Sequence, residues 1–301
     1  MFSFKKRKKT HDSLLALQVM PDGVALAVNH LRDGAPHLET VAFIEQAQPL
    51  TNSKVIAEYL SEQRLADVPV SLVLQEGEYQ LLLIEAPDVP VDELKDALLW
   101  RVKDLIQFNP EDAYLDYIEL PDDAYRGRGK MIYVVVAERT LIDQRVDWLD
   151  ALGVSAVAID IPELALLNIT ESLCAEEMGT AVLFLEEDRS NLTMLSGSAL
   201  YLARGLSYSP FNQVENTVLD IQRSMDYFES QIGKPPCVRI LILPLQVGET
   251  PLLMELRNNL SADVQSLDLA DVVGSDEPLR VDLQQVCLIA IAASLRNTEA
   301  K

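Results

Sequence analysis

Between Leu15 and Val28 the chain reads LALQVMPDGVALAV, two apolar runs in which small and branched residues alternate around a Pro-Asp-Gly turn. Proline presets one turn angle and glycine permits the other, so the stretch predicts a strand, a tight turn and a second strand. HLETVAFIE from His37 reads as a third strand. SKVIAEYLSEQRL then spaces Val55, Ile56, Leu60 and Leu65 at helical intervals, and VPVSLVLQ and QLLLIEAP return to strand patterning. The first ninety residues are therefore ordered β-β-β-α-β-β. PVDELKDALLWRVKDLIQF puts Leu94, Ala97, Leu98, Val102 and Leu105 on one helical face with acids in the first turn, where the helix dipole favours them, and is predicted to run up to NPED. AYLDYIEL and KMIYVVVAE flank the hydrophilic PDDAYRGRG as a hairpin, and TLIDQRVDWLDALG is a helix closed by Gly153. VSAVAIDIP and ELALLNITESLC follow as strand and helix.

From Gly179 the opening theme restarts. TAVLFLEEDRSNLTMLSGSALYLARGLS reads as strands turning at EEDRS and SGS. QVENTVLDIQRSMDYFESQIG carries a stripe of Val214, Val218, Ile221, Met225, Phe228 and Ile232 at spacings of four and three. VRILILPL is a strand, PLLMELRNNL a helix, DVQSLDL a strand, and LQQVCLIAIAASLRN a closing helix apolar enough to be buried. Two β-rich halves with helices predict two α/β lobes facing a cleft. The divisions are a basic tail at 1–10, a first lobe at 11–175 with an inserted subdomain at about 87–150, a second lobe at 176–278, and a helix at 279–301 packing back on the core. Duplication of one half from the other is an expectation that no residue-level repeat accompanies.

Charge narrows the class of partner. The 301 residues carry a formal net charge of −22, which argues against nucleic acid because phosphate binding needs concentrated Lys and Arg. The charge is uneven: MFSFKKRKK holds five of the 25 basic residues, leaving 20 against 47 acids over the remainder. No apolar stretch follows this basic start, so it does not read as a secretory signal, and no run of about 18 apolar residues predicts a spanning helix. The expected location is the cytoplasm. The basic start is read either as a solvated tail or as a peripheral contact with an anionic membrane surface through Phe2, Phe4, Lys5, Lys6, Arg7, Lys8 and Lys9. Cys174, Cys237 and Cys287 are odd in number, far apart and set in apolar sequence, as buried thiols are in a reducing compartment. The sequon at Asn168 then has no role in glycosylation.

Catalytic signatures are missing. His11, His30 and His37 lie together near the start without a zinc spacing, and there is no GxSxG, P-loop or GxGxxG pattern. No metal site is predicted, and adjacent acids such as Glu186 and Glu187 read as a solvated face.

Three stretches carry a resemblance. APDVPVDELKDALLWRVKDLIQFNPEDAYLDYIEL, VVVAERTLIDQRVDWLDALGVSAVAIDIPELALLN and VLDIQRSMDYFESQIGKPPCVRILIL resemble, in order and over most of the chain, segments of PilM-like proteins. The resemblance implies a two-lobed actin-like ATPase (ribonuclease-H-like) fold at the inner face of the inner membrane. It also implies a partner, the short cytoplasmic N-terminus of a bitopic PilN-like protein, alongside other pilus platform proteins.

Departures from the family pattern fall at the nucleotide positions. Gln18 stands where the first phosphate hairpin has an acid, and Met20, Pro21 and Asp22 occupy the turn before Gly23. In the second hairpin Phe184 replaces the acid, Glu186 the glycine, and Asp188 and Arg189 small residues. Of the adenosine-side double glycine only Gly248 remains. Phosphate is held by backbone N–H groups that approach closely where side chains are absent, so these changes predict a degenerate cleft that includes Asp160 and a scaffold that needs no cofactor. Weak residual ATP and Mg²⁺ binding is the fallback. A working actin-like ATPase using Asp160 and Asp188, and the cytoplasmic domain of a type II secretion platform protein, are the alternatives. Trp100, Phe108, Tyr114 and Tyr117 form the densest aromatic group, beside Arg101 and Lys103, and with Arg101 are the expected partner-binding residues.

Overall fold

Alternation in the opening hairpin separates two kinds of side chain, and the computed structural model shows where each goes. It describes residues 2–3, 13–170, 173 and 178–296. In chain order these form β1 (Phe2–Ser3), β2 (Ser13–Met20), β3 (Gly23–Arg32), β4 (Ala35–Glu45), α1 (Lys54–Glu62), β5 (Pro69–Val73), β6 (Gln80–Glu85), α2 (Leu94–Val102), β7 (Ala113–Glu119), β8 (Met131–Glu138), α3 (Arg139–Ala151), β9 (Ser155–Asp160) and α4 (Pro162–Thr170). The second run is β10 (Gly179–Leu185), β11 (Ser190–Ser196), β12 (Ala199–Leu206), α5 (Val214–Tyr227), β13 (Cys237–Leu243), α6 (Pro251–Asn259), β14 (Asp263–Ser266), β15 (Gly274–Ser275), α7 (Val281–Val286) and α8 (Leu288–Ser294).

The chain divides into two units. Unit 1 comprises Met1–Glu119, Ile132–Asn168 and Val273–Lys301, and unit 2 comprises Leu120–Met131 and Ile169–Val272. Segment 120–131, which contains the predicted loop PDDAYRGRG and the adjoining strand ends, is thus grouped with unit 2, and the return to unit 1 comes at Val273.

Unit 1 is built on a seven-stranded sheet ordered β1-β9-β5-β2-β3-β4-β15. The large residues of its strands, among them Leu15, Leu17, Val24, Leu26, Leu72 and Ile159, join Ile56 and Leu60 of α1 and Ile142, Trp148 and Leu149 of α3 in one core. Successive side chains of a strand point to opposite faces, so Ala16, Ala25, Ala27, Ser71, Ala158 and Asp160 face the other way. Helix α8 lies there, against β2, β3 and β5, with all seven residues buried. Small side chains on both partners allow that close approach. The closing helix is not continuous as predicted. It breaks at Cys287 (φ −101°, ψ 9°), whose thiol donates to the Ala42 carbonyl at 3.3 Å.

A second, three-stranded sheet in unit 1 runs β6-β8-β7. Its middle strand is buried on both faces: Ile132, Val134 and Val136 meet Leu94, Leu98 and Val102 of α2, while Val135 and Ala137 join the main core. The sheet starts at Gln80 and ends before α3, whose apolar face belongs to the main core. Helix α2 stops at Val102 rather than Phe108, the last turn closing through the Leu105 and Ile106 amides onto the Val102 carbonyl. Past that point the helical register is lost. Ile106 and Phe108 fold onto the small core, and Leu105, predicted on the apolar face, is 53% exposed.

Unit 2 repeats the strand plan of unit 1. Its sheet is ordered β12-β11-β10-β13-β14, with β10, β11 and β12 an antiparallel meander and β13 and β14 parallel to β10. β4-β3-β2-β5-β9 has the same order and the same strand directions. The expected duplication is therefore visible as topology. In α5 the predicted stripe is kept, with Val218, Ile221, Met225, Phe228 and Ile232 buried, but the helix widens into a π turn over Phe228–Ile232 before Gly233 ends it at φ +82°.

Cys237 and Cys287 are free and buried, and burial pushes both thiols up to about 12. Cys174 lies outside the described residues. Since the thiolate is the reactive form, neither Cys237 nor Cys287 should take up a thiol reagent in native protein at pH 8, and both should do so in denaturant, as mapped by peptide mass spectrometry.

Candidate functional site

The expected nucleotide residues fall on both units. In unit 1 the Pro21-Asp22 turn joins β2 to β3, with Met20 paired to Gly23. Its carbonyls are already used: the Gln46 amide donates to Asp22 at 2.9 Å, the Gln48 amide to Pro21 at 3.4 Å, and the Gln75 side chain to Val19. Gly23 has a steric cause in the sheet itself, because a Cβ there would stand 2.4 Å from the Ile44 carbonyl oxygen and 2.6 Å from the Phe43 ring. Beside the turn, an open depression is lined by Asp22, Phe43, Glu45, Gln46 and Ala47. Two carboxylates and a proline without an N–H do not suit a phosphate.

Strand register brings Gln18 and Asp160 into one row. Gln18 pairs with Val73, and Val73 with Asp160, so the three side chains share the face that carries α8. Asp160 is 2% exposed. Its Oδ1 accepts from the Ile161 amide at 2.9 Å, and its Oδ2 stands 3.3 Å from Nη1 of Arg296. Burial raises its pKa, and the Arg296 guanidinium opposes that rise only in part. The position of Arg296 follows from how α8 ends. The Asn29 side chain donates to the Ser294 carbonyl at 3.2 Å and the Asn168 side chain to the Ala292 carbonyl at 3.0 Å, satisfying the last turn where the chain turns off towards Asp160. Asn168, the sequon residue, is committed to this cap.

In unit 2 the turn between β10 and β11 is closed on itself. The Glu186 amide donates to the Arg189 carbonyl at 2.9 Å, and Arg189 Nε to Glu186 Oε2 at 2.9 Å. Glu187 and Asp188 are exposed, and Phe184 is buried between β11 and β13, opposite Asn191 and Leu243. Gly248 has φ +77° in the loop before α6, with open space where a Cβ would stand. The one cation of this turn is thus held by its own glutamate, and the turn offers carboxylates where a polyphosphate would need donors. Neither turn fits a Mg-nucleotide. Among the described residues no group of three or more His, Cys, Asp or Glu side chains could hold a metal ion.

The expected partner residues do not form one exposed set. Trp100 is 70% exposed on α2, with Lys103 Nζ 3.1 Å from its ring centroid, and Arg101 beside it is exposed. Phe108 and Tyr117 are half-buried, packed against the core of the three-stranded sheet. Tyr114 packs on the main core, its hydroxyl donating to Asp143 at 3.4 Å under the Arg139 guanidinium. Of the basic start, Phe2 and Ser3 pair antiparallel with Ile159 and Ala158 of β9. The Phe2 side chain and Phe4, Lys5, Lys6, Arg7, Lys8 and Lys9 lie outside the described residues. Among the described residues no helix is long and apolar enough to cross a membrane.

Arg296 went unforeseen, because 136 residues separate it from Asp160.

With this geometry the chain has the two-unit actin-like ATPase fold. Among solved structures it is similar to the PilM-PilN type IV pilus biogenesis complex, with a TM-score of 0.74 and 18% identity over 94% of this chain and 97% of that one. It is also similar to a Bacteroides thetaiotaomicron protein of actin-like ATPase fold and unknown function (TM-score 0.54, 10% identity, 92% and 96% covered). A third similar structure is the cytoplasmic domain of EpsL, an inner membrane component of the type II secretion system of Vibrio cholerae (TM-score 0.51, 13% identity, 91% and 92% covered). No protein-family model and no curated protein matches the chain.

The Asp160–Arg296 pair makes a pH-dependent prediction. A raised pKa means that folded Asp160 holds its proton more tightly than the unfolded chain does, so the cost of burying its charge grows as pH rises above the ordinary carboxylate range. Arg296 offsets that cost. Arg296→Met should therefore destabilise by about 3 kcal/mol at pH 8 and by much less near pH 4, measured as urea unfolding at the two pH values.

Proposed function

We propose that this chain is a nucleotide-independent scaffold of a type IV pilus assembly at the inner membrane. It captures the cytoplasmic N-terminus of a PilN-like bitopic protein and contacts other platform proteins from the cytoplasmic face. More narrowly, it is the MshI-like component of a mannose-sensitive haemagglutinin pilus, with Lys5 to Lys9 touching anionic lipid. The likeness to the PilM-PilN complex supports the pilus setting. The observation that carries the scaffold reading is the Asp160–Arg296 pair: an internal cation faces the buried acid of the strand-end row, while both hairpin turns present acids. The EpsL likeness favours a second reading, a type II secretion platform domain, which differs in the partner tail it captures.

Calorimetric titration with Mg-ATP should give no binding heat at micromolar concentrations. A micromolar Kd, or ATP turnover above a heat-inactivated control, favours the ATPase reading.

Capture is tested separately. Trp100→Ala with Arg101→Glu should reduce retention of an immobilised PilN-like N-terminal peptide at least tenfold, because exposed Trp and Arg dominate binding energy where they are buried by a partner. Undiminished retention removes α2 from the binding surface, and retention of only a secretion-system tail favours the second reading.

A further inference from the structure

On a chain of net charge −22, the five consecutive exposed residues Arg126, Gly127, Arg128, Gly129 and Lys130 carry only positive charge. They hold three of the 20 basic residues that stand against 47 acids beyond residue 9. Such a local reversal of sign is a candidate contact surface.

The frame beneath these residues is firm. Leu120, Ala124, Tyr125 and Met131 are buried, and the Tyr125 ring meets that of Tyr227 edge-on at 6.2 Å. Tyr125 keeps φ +58°, a left-handed conformation that a bulky side chain adopts only where its surroundings impose it. The Arg128 amide donates to the Tyr125 carbonyl at 3.0 Å, closing a four-residue turn whose third residue, Gly127, has φ +78°. The Asp123 carboxylate takes an ion pair from Lys234 and a 2.9 Å hydrogen bond from the Tyr201 hydroxyl, and these bonds hold its carboxyl below the usual carboxylate range.

Within this frame the charges do not cancel. Asp123 is committed to Lys234, and Asp122 faces Lys130 at 3.8 Å. Arg126 and Arg128 enter no ion pair among the described residues. Arg126 donates instead to the Gly233 carbonyl at 3.0 Å, so close that a Cβ on Gly233 would come within 2.3 Å of its Nε. The Arg128 guanidinium stands 5.9 Å from the centre of the Tyr125 ring. Neutral groups thus set the positions of both cations without neutralising them. With Asp122, Asp123, Tyr125 and Gly233 they line one open depression of about 330 Å³, all of it in unit 2.

We infer that this depression is a docking site for an acidic protein segment, whose carboxylates are taken by Arg126 and Arg128. A guanidinium offers parallel N–H donors that match a carboxylate, and a frame that already fixes it lowers the cost of ordering it on binding. The exposed Asp122 and Asp123 carboxylates beside it repel a dense array of negative charge, such as a lipid surface or a polyphosphate. Carboxylates spaced along a peptide can avoid them. The site shares no residue with α2 and does not rest on the pilus reading.

Fluorescence anisotropy of the full chain with a labelled twelve-residue peptide of alternating Glu and Ser tests this. Binding should be saturable, and Arg128→Gln should weaken it about tenfold with the Tm unchanged, since a hydrogen bond between charged groups is lost. Arg128→Lys keeps the charge without the paired donors and should restore only part of the affinity. Arg126→Gln with Arg128→Gln should abolish saturable binding. No saturable binding to the unaltered chain, or equal binding by both Gln variants, overturns the inference. Binding of phosphatidylglycerol vesicles or pyrophosphate that is lost in Arg128→Gln while peptide binding is not also overturns it, in favour of a phosphate site.

Discussion

Unit 1 depends on the burial of α8 against one face of its central sheet. A seven-residue helix with every residue buried has no solvent to satisfy its ends, so its last carbonyls need partners from the protein, and Asn29 and Asn168 supply two of them. The helix also demands room. Ala16, Ala25, Ala27, Ser71 and Ala158 provide it on the sheet, and Ala290, Ala292 and Ala293 on the helix. A larger side chain at any of these would push the helix off the sheet, and overpacking a filled interior costs about 1–3 kcal/mol.

That packing has a chemical by-product. Because α8 ends where it does, Arg296 reaches Asp160, the buried acid at the end of β9, and gives it a permanent internal cation. A buried ion pair is poor evidence of added stability, since desolvation offsets much of the attraction. Here it decides what the acid can do: a carboxylate facing a guanidinium is a poor ligand for a divalent ion. The two hairpin turns tell a similar story by other means, one tying its carbonyls to the segment after β4 and the other pairing Arg189 with Glu186.

The shared strand order of the two sheets explains why the halves look alike in pattern and not in sequence. A meander followed by two strands parallel to its first strand constrains only where apolar residues recur. Identity at given positions is free to drift, as 18% identity beside a TM-score of 0.74 illustrates.

Patterning alone determined most strands and helices of both halves, though not the short β1 and β15, because alternation and helical stripes are local consequences of what each element buries. Small-large alternation in LALQVMPDGVALAV already held the two faces of β2 and β3, and the stripe from Val214 to Ile232 already held the buried face of α5, though not the widening at Phe228–Ile232. The loss of donors at Pro21 and of small residues at Glu186 was equally legible, since it is written in residue type. What tertiary structure decided was everything set by distant neighbours. It ended α2 at Val102 and exposed Leu105, broke the last helix at Cys287, and left Phe108, Tyr114 and Tyr117 half-buried against cores while leaving Trp100 outside. It placed the 120–131 tip on unit 2, and it joined Arg296 to Asp160 across 136 positions, a pairing that no local pattern encodes because only the packing of α8 brings the two together.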